Sequence, residues 1–375
     1  MLSVRSLSLL GSGISRALRL FSAGLLGGIL MVSAPCANAA DLRKIKLGTP
    51  ARVTMANAPF LLARELGYFS EEGLELEIVE FLGTSVLVPQ IASKAVDIGY
   101  SSADVLIINS QPGRDRIPVR FFYNSLRSNV WEFAVLDDSP IKSVGDLRGK
   151  KIGIGALANG NVPIIRAMYK EMGMVSGKDY DLVPVGVGAP GVRALSTGEV
   201  AAFNGFDAIL AQFELAGLKL RQLPSPSKYS NLISNGFAAH EDLFKSDPKM
   251  LAAFGRAITK GVVACDANRE LCVRSAWKQY PNTRPTGGDE ASQMKGSLML
   301  LGRRMERYLD FTPGQPRNYG EYVPQVWRDY LKVLYDGGEM TTDKVDPSGL
   351  YTNELVSEFN KFDAQKIVQS VKDRQ

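Results

Sequence analysis

From Lys44 to Leu223 the chain alternates short β-prone runs with helical runs of about ten residues, and few architectures accept that alternation. RKIKLGT (43–49) reads as a strand, and Asn57 with Pro59 opens a helix, NAPFLLAREL, that Gly67 stops. LELEIVEF (74–81) alternates apolar and charged residues, the signature of a half-buried strand. GTS (83–85) leads into the helix SVLVPQIASK, AVDIGY is the next strand and SSADVLIIN the next helix, before the strand IPVRFFYN (117–124). Strands joined through helices imply right-handed crossovers and a mainly parallel sheet.

A polar joint, SLRSN (125–129), precedes a second round of the same kind. Its strands are VWEFAVL, KIGIGA (151–156), YDLVPVGV, EVAAFN and LKLRQL, with helices NVPIIRAMYKEMG, APGVRALSTG and FDAILAQFELAG between them. SKAVDIGYSSADVLI (93–107) can be laid over TGEVAAFNGFDAILA (197–211), so the two rounds share a corner type. After Ser234 the alternation ceases and long helical runs follow, beginning with DPKMLAAFGRAITKGVVACDA. A helical tail without strands of its own packs most simply on the first α/β unit. The expected fold is therefore α/β and two-lobed, with lobe 1 formed by 40–127 plus 236–375 and lobe 2 by 128–235. Two crossings form a two-strand hinge.

The first 39 residues carry Arg5, Arg16 and Arg19 and no acid, then the apolar stretch LFSAGLLGGILMVSA, then Ala37-Asn38-Ala39. That arrangement describes an export signal cut after Ala39, with an apolar core too short to span a bilayer. Its removal would take three positive charges and lower the formal net charge from +5 to +2. Charges of both signs are interspersed in the remainder, which does not suit nucleic acid. His240 is the only histidine and no CxxC pair occurs, so no metal site is expected. Cys265 and Cys272 would lie about 10 Å apart on one continuous helix, beyond the roughly 7 Å reach of a disulfide. Either the helix breaks within DANREL and the two are bridged, or both are buried thiols.

Four stretches resemble the periplasmic solute-binding proteins of nitrate/sulfonate/taurine-type ABC transporters, a group that includes proteins similar to thiamine-pyrimidine binders. They are APFLLARELGYFSEEGLELEIVEFLG (58–83), IASKAVDIGYSSADVLI (91–107), IKSVGDLRGKKIGIGA (141–156) and VGVGAPGVRALSTGEVAAFNGFDA (185–208). The resemblance implies a type II periplasmic binding fold that closes on one small molecule. It also implies delivery to a membrane permease with its ATPase, by a monomeric, periplasmic binder that needs no cofactor. Ligand classes compatible with it are a sulfonate, nitrate, an aromatic carboxylate or a pyrimidine.

In open α/β sheets ligands bind beyond the carboxyl ends of the strands, where helix N-termini converge. Six corners qualify: RVTMAN (52–57), GTS (83–85), SSAD (101–104), ANGN (158–161), GVGAPG (186–191) and NGFD (204–207). They supply the candidate ligand contacts Arg52, Thr54, Asn57, Gly83, Thr84, Ser85, Ser101, Ser102, Asn159, Gly160, Asn161, Gly188, Ala189 and Asn204. Small residues let a ligand approach the backbone, and amides can both donate and accept. Helix capping explains the same serines and asparagines equally well. Asp104 is read as serving its helix, since a carboxylate would repel an anion in the same cleft. Arg52 follows the first strand and could grip a carboxylate or sulfonate; Arg127 at the joint is the weaker alternative. Trp131 and Phe206 could stack on a ring or could belong to the core.

Catalysis is the competing class. The chain holds no GxSxG and no Walker lysine motif, and His240 lies beyond the corners. A periplasmic enzyme or a sensor on the same fold remains the alternative.

Overall fold

The computed structural model describes residues 42–374; the export signal and its cleavage after Ala39 lie outside the described residues. Ten strands form two five-stranded sheets. The first holds β1 (Arg43–Thr49), β2 (Leu74–Glu80), β3 (Ile98–Ser101) and β4 (Val119–Asn124). The second holds β5 (Trp131–Leu136), β6 (Lys150–Ile154), β7 (Tyr180–Pro184), β8 (Ala202–Phe206) and β9 (Leu220–Leu223). The chain then returns to the first sheet as β10 (Gly236–His240).

Strand order is β2-β1-β3-β10-β4 in one sheet and β7-β6-β8-β5-β9 in the other. In each, four strands share one direction and the strand fourth in order is antiparallel to both its neighbours. That antiparallel strand is the one that arrives from the crossing: β10 after 224–235 in the first sheet, β5 after 125–130 in the second. The two sheets thus share one topology, with the antiparallel strand last in the chain in one lobe and first in the other, and the carboxyl ends of their parallel strands face one another.

β10 corrects the expectation that the strands end before Ser234. Its sequence, GFAAH, lacks the β-branched residues that mark a strand. It is strand because it fills the gap between β3 and β4, pairing with both, with Phe237, Ala238 and Ala239 fully buried. Tertiary pairing overrides a weak local preference here.

Long helices cover the first lobe. Pro248–Ala267 packs on Ala58–Glu65, and Arg269–Gln279 follows after a break at Asn268. Asn268 has φ −144° and ψ 88°, and its side chain caps the second helix by accepting from the Leu271 amide at 2.9 Å. That break brings the Cα atoms of Cys265 and Cys272 to 5.2 Å, and the two are joined as a disulfide. Two further tail helices reach beyond the first lobe. Glu290–Tyr308 lies against Asp207–Leu215 of the second lobe, and Pro324–Asp336 against Asn161–Glu171. One continuous hydrophobic cluster accordingly holds Leu87 and Ile107 from the first lobe, Phe133 and Ile152 from the second, and Trp327 and Tyr330 from the tail.

Candidate functional site

Between the facing strand ends lies a cavity of about 170 Å³. Its first-lobe wall is the loop after β1, the start of the helix Thr84–Ala92, and Tyr100 near the end of β3. Its second-lobe wall is Val130, Trp131, the 155–160 corner after β6, Val187, Phe206 and Ile209. Asn235 and Arg304 complete it from the return crossing and the tail.

The loop after β1 is shaped by its own polar residues. Thr54 and Asn57 form a reciprocal capping box on the short turn Met55–Asn57, with the Thr54 amide donating to Asn57 Oδ1 at 3.1 Å. The Val53 amide donates to Glu80 Oε1 at 2.7 Å, which ties the loop to the end of β2. Arg52 is left exposed at the mouth of the cavity and takes part in no ion pair among the described residues. Arg127 is elsewhere: Nε donates to the Asp310 carbonyl at 3.1 Å and the guanidinium covers the Phe311 ring at 4.2 Å. Of the two arginines, Arg52 is the one at the cleft.

Trp131 and Phe206 are direct cross-strand partners in the β5–β8 ladder. Their rings meet edge-to-face with centroids 5.8 Å apart, and both line the cavity. Arg304 lies over the Phe206 ring, 5.5 Å from its centroid. Its Nε is 3.1 Å from both Asp207 oxygens and Nη2 also donates to Asp207, so the pair is a buried, bidentate ion pair below the aromatic wall.

The lobes touch where two glycine corners meet. A Cβ on Gly83 would lie 2.5 Å from the Ala158 carbonyl oxygen, and φ is +108° there. The Ser85 amide donates to that same oxygen at 3.3 Å. A Cβ on Gly160 would lie 2.2 Å from Ser102 Oγ and 2.9 Å from Asp104 Oδ1. Only glycine permits this approach of one lobe's backbone to the other's side chains.

Of the sixteen residues expected to contact a ligand, Arg52, Thr54, Asn57, Thr84, Trp131, Asn159, Gly160 and Phe206 line the cavity. Gly83 and Ser85 make the interlobe contact beside it, and Gly188 and Ala189 begin the helix Ala189–Ser196 without lining it. The other four are spent inside the protein. Ser101 Oγ donates to the Ser102 carbonyl at 3.0 Å, and Ser102 Oγ lies 2.9 Å from Thr84 Oγ1 and donates to Asp104. Asn161 Nδ2 donates to Asn204 Oδ1 at 2.7 Å. Small polar residues at strand ends thus form a buried polar layer behind the cavity as well as its wall, and sequence does not separate the two.

Sequence reasoning missed Tyr100, Asn235 and Arg304. Tyr100 reads as one more buried strand residue, and Asn235 stands in the crossing. Arg304 did carry a signal. Leu300, Leu301, Met305 and Tyr308 form the buried stripe of its helix, and Arg304 occupies a position within that stripe. A charge placed there must find a buried partner.

Comparison with known proteins agrees with this architecture. The family model described as NMT1/THI5 like matches residues 55–270. A 4-amino-5-hydroxymethyl-2-methylpyrimidine phosphate synthase from Uromyces fabae is 27% identical over 81% of this chain and 84% of its own. The riboflavin-binding protein RibY from Chloroflexus aurantiacus is 25% identical over 86% of this chain and 89% of its own. Among solved structures, the alkanesulfonate-binding protein SsuA from Xanthomonas axonopodis pv. citri superposes with a TM-score of 0.60 at 13% identity, covering 84% of this chain and 99% of that one. The last is a likeness of fold, that of the periplasmic binding proteins. With the family model matching more than half of its 375 residues, the chain belongs to the NMT1/THI5-like family.

Proposed function

We propose that the chain is the exported solute-binding subunit of an ABC importer, and that its ligand is a small organic molecule with a flat ring. The cavity between the lobes carries this reading: about 170 Å³, walled mainly by apolar groups, with the Trp131–Phe206 pair on one side. An apolar cavity of about 150 Å³ accommodates a single benzene ring. Closure brings the two glycine corners together over the ligand, a hinge motion of the kind periplasmic binding proteins make. The ligand-loaded, closed protein then presents itself to a membrane permease and its ATPase.

The same walls argue against nitrate among the ligand classes compatible with the resemblance. An inorganic anion would find Arg304 already balanced by Asp207 and Arg52 exposed at the mouth. It would also leave most of the apolar wall unfilled. A ring with an acidic substituent could place the ring against Trp131 and the acid against Arg52.

A thermal-shift screen over nitrate, alkanesulfonates, aromatic carboxylates and pyrimidines tests the reading. A ligand at 100 times its dissociation constant stabilises the protein by about 2.7 kcal/mol. Ring-bearing compounds are expected to raise Tm while nitrate does not. A shift with nitrate alone would refute ring binding, and turnover of a bound compound by the purified protein would assign it to the enzyme reading that the pyrimidine synthase relatives represent.

A further inference from the structure

Asp104 is 2% exposed, and no cation pairs with it among the described residues. Its own lobe gives it one side-chain hydrogen bond, from Ser102, whose hydroxyl also lies 2.9 Å from that of Thr84. What closes over it belongs to the other lobe. A Cβ on Gly160 would fall 2.9 Å from Asp104 Oδ1 and 2.2 Å from Ser102 Oγ, so the corner after β6 covers the carboxyl. That corner begins the helix Asn161–Glu171, whose N-terminal end favours a negative charge. Yet no hydrogen-bond donor of the second lobe reaches Asp104 among the described residues. From the tail, Tyr330 of the helix Pro324–Asp336 faces the carboxyl, and Glu339 beyond that helix repels a charge on it. Arg166 and Lys170 of Asn161–Glu171 lie near Glu339, Arg166 at 3.8 Å. A buried carboxylate with no cation is costly, and taking up a proton relieves that cost. Burial accordingly pushes the Asp104 carboxyl above its ordinary range.

We propose that closing the cleft is coupled to protonation of Asp104, so that the closed form takes up a proton that the open form does not hold. This rests on the closing-cleft reading above and adds a control on it. When the cleft opens, the Gly160 corner leaves Asp104, water reaches the carboxyl and its proton passes to solvent. The closed form therefore has the higher proton affinity. Its share grows as pH falls through the window between the open-form and closed-form pKa values, and is level on either side of that window. Each unit by which closure raises the pKa multiplies the closed-to-open ratio by about ten across the window. A solute held by closure is then held more tightly in acid surroundings.

Small-angle scattering of the ligand-free protein at pH 5 and pH 8 tests the coupling, with Gly160→Val as the variant held open. Wild type is expected to have a smaller radius of gyration at pH 5 than at pH 8. Asp104→Asn, which cannot ionise, is expected to have the smaller radius at both. Glu339→Gln is expected to keep the wild-type difference. Equal radii for wild type and Asp104→Asn at both pH values, with Gly160→Val larger, overturn the role of Asp104 and leave closure standing. One radius for wild type, Asp104→Asn and Gly160→Val shows that the lobes do not open, which removes the closing-cleft reading and the coupling with it. Loss of the pH difference in Glu339→Gln would place the proton there and also overturn the proposal. A second readout needs no variant at Asp104. Carbon-13 spectra of the aspartate carboxyls are expected to show one group titrating at higher pH in wild type than in Gly160→Val. Identical titrations in the two proteins overturn the proposal.

Discussion

Asp104 and Asp207 each open the helix that follows a strand end, one in each lobe, and they are balanced in different ways. Asp207 has a cation, Arg304; Asp104 has a hydroxyl, Ser102, and burial pushes its carboxyl above the usual range despite that hydrogen bond. The reading of Asp104 as a helix residue rather than a ligand contact fits this, since it stands behind Ser102 and does not line the cavity. A carboxyl whose pKa is raised on folding binds more protons in the native state than in the unfolded state between the two pKa values. Its contribution to stability therefore falls as pH rises through that window and stays unfavourable above it. Asp104→Asn keeps an acceptor for Ser102 and removes the charge. It is expected to raise Tm at pH 7 and to leave Tm unchanged near pH 4, as thermal melts at the two pH values would show. A lower Tm at pH 7 would mean that the charged form is favoured by its surroundings. Glu72 has the opposite sign, because Arg256 and Lys260 hold its pKa below the usual carboxylate range against the effect of its own burial. The stability it adds is present at neutral pH and is lost on acidification.

At the scale of elements, the helices of the tail carry what local sequence could only partly reveal. A bridge between Cys265 and Cys272 required a break within DANREL, and Asn268 supplies it by capping the second helix. Closing so short a loop restricts the unfolded chain by about 2 kcal/mol. The double variant Cys265→Ala, Cys272→Ala is expected to melt several degrees lower with unchanged ligand affinity, since the pair is buried in the first-lobe core away from the cleft. The helix Glu290–Tyr308 is different, because its partner is in the other lobe. Arg304→Met would strand Asp207 as a buried, unpaired charge, and removing one member of such a pair costs about 3–5 kcal/mol. Adding Asp207→Leu to it is expected to recover most of that loss, measured by denaturant unfolding of both variants. If the single variant is as stable as the double, the ion pair contributes little to joining helix and lobe. The strand alternation was legible because short β-prone runs, either alternating like β2 or mainly apolar like β3, are separated by helical runs with their own caps. The partner of Arg304, 97 positions away, was not, since no local pattern encodes where a helix face will land.

At the scale of the molecule, the two α/β rounds could be read from the chain because crossover handedness and strand spacing leave few alternatives. What could not be read is how tightly the lobes are joined. β10 is too poor in β-branched residues to announce itself, and the cluster running from Leu87 through Trp327 to Ile152 exists only once the tail has folded across both lobes. Beside the hinge, the Arg127 amide donates to the Arg307 carbonyl and the Asp207 amide to the Val130 carbonyl, so the tail helix and the second lobe both grip the crossing strands. At the cleft edge the lobes meet through the two glycine corners. Gly160→Val puts a branched side chain where even a Cβ would fall 2.2 Å from Ser102 Oγ, and the first lobe must retreat to admit it. Scattering from this variant is expected to show a larger radius of gyration than the wild type. Affinity for a ring-bearing ligand should fall at least tenfold, with a change in Tm of no more than a few degrees, because the cores of both lobes are untouched. An unchanged radius and affinity would show that the corners do not meet when the protein closes. A collapse in Tm would show instead that the interlobe contact is part of the folding core rather than the moving edge of a cleft.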